Sequence, residues 1–142
     1  CDLRCASMAA SFAVPEVTLG TICGAGGTQR LPRLIGETRA KEMIFTGREI
    51  TAETAREWGL VNGVFTAGSL LEETLNLAEE IARNSPYAVT CAKRSVNGGR
   101  EMLLEEALEW ERSLFGECGE SRDRKEGMMA FLEKRPRVFT GE

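Results

Sequence analysis

Glu16 is the residue of this chain best placed to do proton chemistry. It follows Pro15, lies between the apolar Val14 and Val17, and precedes the glycine-rich run Gly24-Ala25-Gly26-Gly27-Thr28-Gln29-Arg30-Leu31. A carboxyl group so flanked is expected to be partly buried. Burial disfavours the charged form of a carboxyl, and a carboxyl so tuned serves as general acid or base near neutral pH. The glycines allow backbone N–H groups to approach a ligand closely. A helix starting at the end of the run adds unpaired donors and partial positive charge. The local design is an acid/base carboxylate beside a small anchor of backbone donors.

Other chemistries fit less well. The chain has no histidine, which removes Ser-His and Cys-His nucleophiles and leaves acid/base work to Glu, Asp, Lys, Tyr or Cys. A phosphate-binding P-loop needs Gly-Lys before Ser or Thr, whereas Gly27 is followed by Thr28-Gln29. A dinucleotide fingerprint needs glycine or alanine at Gln29, so only Gly24-Ala25-Gly26 matches. A tight strand-to-helix turn with no ligand is the plain alternative for these glycines. Five cysteines, at positions 1, 5, 23, 91 and 118, form no C-x-x-C pair. That pattern fits free thiols in a reducing compartment, and scattered cysteines without histidine make no metal site. A net charge of −4 argues against broad nucleic-acid binding. No apolar run approaches the roughly 20 residues that span a bilayer. With 142 residues the chain is long enough for one domain with a real core.

The elements that must position Glu16 are short. Phe12-Ala13-Val14 reads as a strand stopped by Pro15. A helix is expected from Gly26, short or restarted because Pro32 falls inside it. Thr38 reads as the N-cap of a helix over 39–46 that ends on Gly47, with Ala40, Met43 and Ile44 as its apolar face. Thr51 caps a further short helix with Ala52, Ala55 and Trp58 facing inward and Gly59 ending it. Residues 60–65 read as an extended pair around a turn. Beyond Gly68 the pattern is helical: 71–83, broken by Asn84-Ser85-Pro86; 87–96, stopped by Asn97-Gly98-Gly99; 102–115, ended by Gly116 and Gly119; and 122–134, capped by Ser121 and stopped by Pro136. The expected division is residues 1–65 as a core with the glycine-rich loop, and residues 66–142 as a helical extension.

Taken together, Pro15-Glu16, the apolar run to Gly20-Thr21 and the Gly24–Leu31 segment resemble the crotonase family of enoyl-CoA hydratases and isomerases. The resemblance continues in Arg39–Gly47, in Ala55 and Trp58-Gly59-Leu60-Val61-Asn62, and in Arg124–Arg135. It covers nearly the whole chain. One departure is Cys23, where the family usually has proline. Cys1-Asp2-Leu3-Arg4 resembles a segment halfway along the family's domain, so the chain reads as roughly its second half.

The resemblance implies an α/β, crotonase-like (ClpP/crotonase) fold, mostly helical in this C-terminal portion. It implies syn addition of water to 2-enoyl-CoA thioesters, a lyase reaction of fatty acid β-oxidation, with enoyl-CoA isomerisation as the close alternative. A non-catalytic assembly module or an RNA-binding relative is the reading from another class. Glu16 falls on the family glutamate that exchanges a proton with the substrate α-carbon. Gly24 falls on a position whose backbone touches water or substrate, or else is a left-handed turn residue. Phe115 falls on an aromatic lining the acyl or pantetheine tunnel, or else is core. Lys134 falls on a lysine reaching the CoA phosphates of an adjacent subunit, or else is solvated tail charge. The oxyanion donors and a second glutamate fall before Cys1 in the family pattern, so residues 1–142 alone are expected to lack hydratase activity. The resemblance further implies no cofactor beyond the coenzyme A of the substrate, homo-trimers or hexamers packed through residues 66–142, no membrane or nucleic-acid partner, and a place in the cytoplasm or mitochondrial matrix.

Overall fold

Short strands and helices alternate in the first part of the chain, and helices alone build the rest. The computed structural model describes residues 1–142, which form two compact units, Cys1–Leu75 and Asn76–Glu142. In the first unit, β1 (Cys5–Ser7) pairs in parallel with β4 (Gly63–Phe65), Cys5 opposite Gly63 and Ser7 opposite Phe65. Arg4 fastens the start of this ladder: its backbone N–H donates to Asn62 Oδ1 at 2.9 Å and its Nε to Leu60 O at 2.5 Å. Between them in sequence, β2 (Ser11–Phe12) runs antiparallel to β3 (Ile50–Thr51). The strand expected at 12–14 is thus Ser11–Phe12, and β1 lies where the sequence shows no period.

The helices of this unit follow their end signals, with two corrections. α1 (Gly27–Ile35) runs unbroken through Pro32. The missing proline N–H deletes one rung, and the following turn closes through Gly36 N–H to Pro32 O at 3.0 Å. α2 (Glu37–Thr46) begins directly behind Gly36, so Thr38 lies within the first turn and is not the cap. Gly36 has φ 87° and ψ 155°, a backbone open to glycine almost alone, and this lets α1 pass into α2 without a spacer. α2 buries Ala40, Met43 and Ile44, and Gly47 ends it at φ 61°. α3 (Ala52–Glu57) is capped by Thr51, whose hydroxyl accepts from Thr54 N–H at 3.2 Å.

Two apolar clusters fill this unit. Ala6, Ala55 and Val61 pack with Phe12, Ile50 and Val64; Ile35, Ala40 and Met43 pack with Phe12, Val14 and Trp58. Phe12 belongs to both, so the β2–β3 pair joins the helices to the parallel ladder. The three wholly buried alanines, at 40, 52 and 55, set how closely helices and strands approach.

α4 (Leu70–Ala82) begins in the first unit and ends in the second. In the second unit, α5 (Pro86–Gly99) packs on α6 (Leu104–Gly119), and α7 (Arg122–Glu133) follows. Ser85 caps α5 ahead of Pro86, its hydroxyl accepting from Ala88 N–H at 3.0 Å. α5 runs on through Asn97 and Gly98 and ends on Gly99, three residues past the end that the sequence suggests. A Cβ on Gly98 would lie 2.7 Å from Trp110 Nε1, and one on Gly99 would lie 3.3 Å from Ala107 Cβ. These glycines let α6 lie close against α5. α6 likewise continues through Gly116.

Asp123, 2% exposed, ties the chain end to the helices. Its carboxylate accepts from Ser85 Oγ at 2.6 Å, Thr140 N–H at 2.8 Å and Gly141 N–H at 3.1 Å. Burial pushes its carboxyl up, but the Ser85 hydroxyl and the two backbone N–H groups outweigh that and hold it below the usual range.

Candidate active site

Glu16 opens a single 3-10 turn, Glu16–Leu19, that ends on left-handed Gly20 at φ 74°. The turn is closed by its own backbone. Thr18 donates to Pro15 O through both N–H, at 2.9 Å, and Oγ1, at 2.7 Å, while Thr21 N–H donates to Glu16 O at 3.2 Å. The backbone of Glu16 is therefore satisfied, and its side chain is not. Oε2 is buried and accepts no hydrogen bond. A buried carboxylate oxygen without a donor is costly, and such an atom marks a place where a ligand can bind or react.

The glycine-rich segment leads from this turn into α1. Its left-handed residue is Gly26, at φ 87°, not Gly24. A Cβ on Gly24 would meet nothing within 4 Å. The turn reading of Gly24 is thereby set aside: neither backbone strain nor packing within this chain calls for glycine there. Gly27 differs, since a Cβ on it would lie 2.9 Å from Cys23 Sγ. Cys23 is buried beneath the loop and seats the first turn of α1. No side chain caps α1, so the helix start offers backbone donors, as the sequence suggests.

Sequence reasoning missed one supporting residue. Gly47 reads only as a helix end, yet a Cβ on it would lie 2.9 Å from Thr18 Cγ2 and 3.3 Å from Pro15 Cα. The end of α2 therefore presses on the turn that carries Glu16. The paired signal in the sequence was a glycine after one helix and a Pro-Glu before one turn, and nothing local joins them.

Phe115 and Lys134 belong to the second unit, and Glu16 and Gly24 to the first. Phe115 is 75% exposed on α6 and is not core within this chain. It lines an apolar groove of about 310 Å³ between α5 and α6, with Cys91, Val96, Leu114 and Cys118. Lys134 caps α7 in a left-handed conformation, φ 54°. With Arg135 and Arg137 it lines a second groove, of about 340 Å³. Arg135 is committed elsewhere: it grips Glu126 through two bonds of 2.6 and 2.8 Å, and the guanidinium, together with Val138 N–H, holds Glu126 down to about 2. Arg137 donates to Asn84 Oδ1 and lies over the Phe139 ring.

The profile of the enoyl-CoA hydratase/isomerase family matches residues 1–142. The chain belongs to that family. It is 47% identical over 139 residues to a mitochondrial enoyl-CoA hydratase of Pongo abelii, a match covering 98% of this chain and 48% of the relative. It is 46% identical over 131 residues to a short-chain-enoyl-CoA hydratase of Clostridioides difficile, covering 92% of this chain and 84% of the relative. The crystal structure of an enoyl-CoA hydratase from Bacillus anthracis superposes with a TM-score of 0.96 at 46% identity, over 100% of this chain and 55% of that one. The fold is therefore the crotonase-like α/β fold that the resemblance implied, mostly helical in this portion. The chain spans about half the length of most of the relatives it matches. No helix is long and apolar enough to cross a membrane.

Proposed function

We propose that this chain carries the Glu16 proton-transfer part of an enoyl-CoA hydratase, a lyase that adds water across the double bond of a 2-enoyl-CoA thioester. The buried, unpartnered Oε2 of Glu16 beside a glycine-rich loop carries the reading. In hydration, water oxygen bonds to C3 as the C2–C3 double bond breaks, negative charge gathers on the thioester oxygen, and C2 takes a proton. Glu16 is the acid/base group for the C2 proton and helps hold the water. Gly24, with open space at its α-carbon, lets water or substrate approach the backbone. Phe115 forms part of an apolar surface for the acyl or pantetheine chain, and Lys134, which enters no ion pair, is free to meet CoA phosphate. The thioester oxygen needs preorganised donors, and we assign them to no residue of 1–142. Coenzyme A enters as part of the substrate, and we assign no further cofactor. The relatives named hydratases favour hydration over isomerisation.

Homo-trimers or hexamers are the assembly we propose. Phe131 is 83% exposed, Leu132 71% and Leu104 74%, so the helical unit presents large apolar side chains that an interface would cover. We place the protein in the cytoplasm or the mitochondrial matrix, in keeping with its free thiols and its mitochondrial relative.

The test is Glu16→Gln in the full-length protein, assayed by loss of crotonyl-CoA absorbance. The isosteric amide keeps the fold and cannot transfer the proton, so kcat is expected to fall roughly 10²–10⁴-fold with KM nearly unchanged. Unchanged turnover would remove Glu16 from the mechanism.

A further inference from the structure

The contact between α5 and α6 brings together two thiols that the proposed reaction does not use. Tyr87, Cys91 and Arg94 lie at i, i+4 and i+7 on one face of α5. Glu117 of α6 reaches both ends of that face: its Oε1 accepts from Tyr87 OH at 3.3 Å and from Arg94 Nη1 at 2.6 Å. Cys91 lies between these two anchors, and Cys118 is the next residue after Glu117 on α6. The two cysteines line the same groove. Both are reduced. The α5 side of the contact is otherwise mostly small, with Ala88, Ala92 and Ser95. Small residues let helix axes come close, as a disulfide between helices requires.

We propose that Cys91 and Cys118 are a redox-active pair that closes into an intramolecular disulfide under a peroxide oxidant. Cys118 is half-buried and Cys91 is 5% exposed, so Cys118 reacts first. Its thiolate attacks hydrogen peroxide; the O–O bond breaks, Cys118 becomes a sulfenic acid and water leaves. The Cys91 sulfur then attacks the Cys118 sulfur. The S–O bond breaks, the S–S bond forms, and the Cys91 proton leaves with hydroxide as a second water. Two thiols are oxidised and one peroxide is reduced. Burial pushes the Cys91 thiol up, with Cys118 and Glu117 adding to it and Arg94 opposing. That suits Cys91 to the resolving step, which proximity drives, better than to the first attack. A dithiol reductant reverses the bond. Cys23, buried in the other unit, has no such neighbour and is the internal control.

The experiment treats the full chain with hydrogen peroxide under native conditions, blocks remaining thiols and maps disulfides by non-reducing peptide mass spectrometry. The expected result is loss of two of the five thiols, a linked peptide pair containing Cys91 and Cys118, and recovery of both with dithiothreitol. Cys91→Ser is expected to leave a sulfenic acid at Cys118 that dimedone traps, Cys118→Ser to abolish the bond, and Cys23→Ser to leave it unchanged. Five free thiols after oxidation would overturn the pairing, as would a bond through any other cysteine, a disulfide between chains, or over-oxidation of Cys118 with Cys91 still free. None of these readouts involves hydratase turnover, so they stand apart from the assignment of Glu16.

Discussion

Gly47→Ala is the perturbation that best tests how the fold holds Glu16. Two costs add at this position. The backbone sits at φ 61°, and placing a Cβ on a left-handed residue costs about 1–2 kcal/mol. The new methyl carbon would also fall 2.9 Å from Thr18 Cγ2 and 3.3 Å from Pro15 Cα. Thr18 cannot simply rotate away, because its Oγ1 is bonded to Pro15 O at 2.7 Å; overpacking of this kind costs about 1–3 kcal/mol. The sum is about 2–5 kcal/mol, read as a shift in urea midpoint with unchanged slope. The two costs separate in a double-mutant cycle. Thr18→Ser removes Cγ2 and keeps the hydroxyl bond, so adding it to Gly47→Ala should recover about 1 kcal/mol while the backbone cost remains. In the full-length protein Gly47→Ala should lower kcat more than it raises KM, because the displaced turn carries the carboxyl proposed as the acid/base group. A stability loss under about 0.5 kcal/mol, or no coupling between positions 47 and 18, would refute the claim that α2 braces the Glu16 turn.

Further outcomes follow from the second unit. Asp123 and Glu126 both titrate below the ordinary carboxylate range, Asp123 despite its burial and Glu126 at about 2 against a usual 4.5. Their stabilising contribution is therefore complete above the unfolded-state values and is lost as pH falls through the folded-state ones. Urea midpoints should hold near neutrality and decline from about pH 5 down to about pH 2, and Asp123→Asn should lower Tm by several degrees and flatten that decline; a midpoint independent of pH there would contradict the role of both carboxylates. The exposed Phe131 and Leu132 on α7 should drive self-association, so sedimentation at micromolar concentration should show oligomers, and a well-folded monomer would count against the proposed interface.

Local signals in the sequence carried the helix ends and little of what lies between elements. Thr51, Ser85 and Ser121 cap helices because each hydroxyl accepts an N–H three residues on, and that pattern is written in adjacent residues. Gly47 and Gly59 end helices in the left-handed region as read. The failures share one cause. β1 was invisible because its partner is β4, some 58 positions away, and three residues are too few to show a period. Gly98 and Gly99 look only like stops when their own helix is considered alone, and are packing residues as well once Trp110 and Ala107 are set against them. Thr38 lost its cap role to Gly36, whose backbone lets one helix follow another directly.

The candidate site shows the same division. Glu16 could be singled out from its neighbours Pro15 and the glycine-rich run, because the turn that holds it is closed by residues 15–21 alone. Its unpartnered oxygen could not be read from any residue type, since it depends on what the fold leaves unmatched. Nor could the brace from Gly47, more than thirty positions downstream. A site of this kind tolerates change in the loop that displays it less than in the helix surfaces around it: the turn has one backbone bond pattern, a left-handed glycine at its end, a close-packed glycine against it from α2, and one carboxyl whose value lies in lacking a partner. Supplying that oxygen with a donor from within the chain would stabilise the fold by satisfying a buried acceptor, and by the same act would remove the group from chemistry.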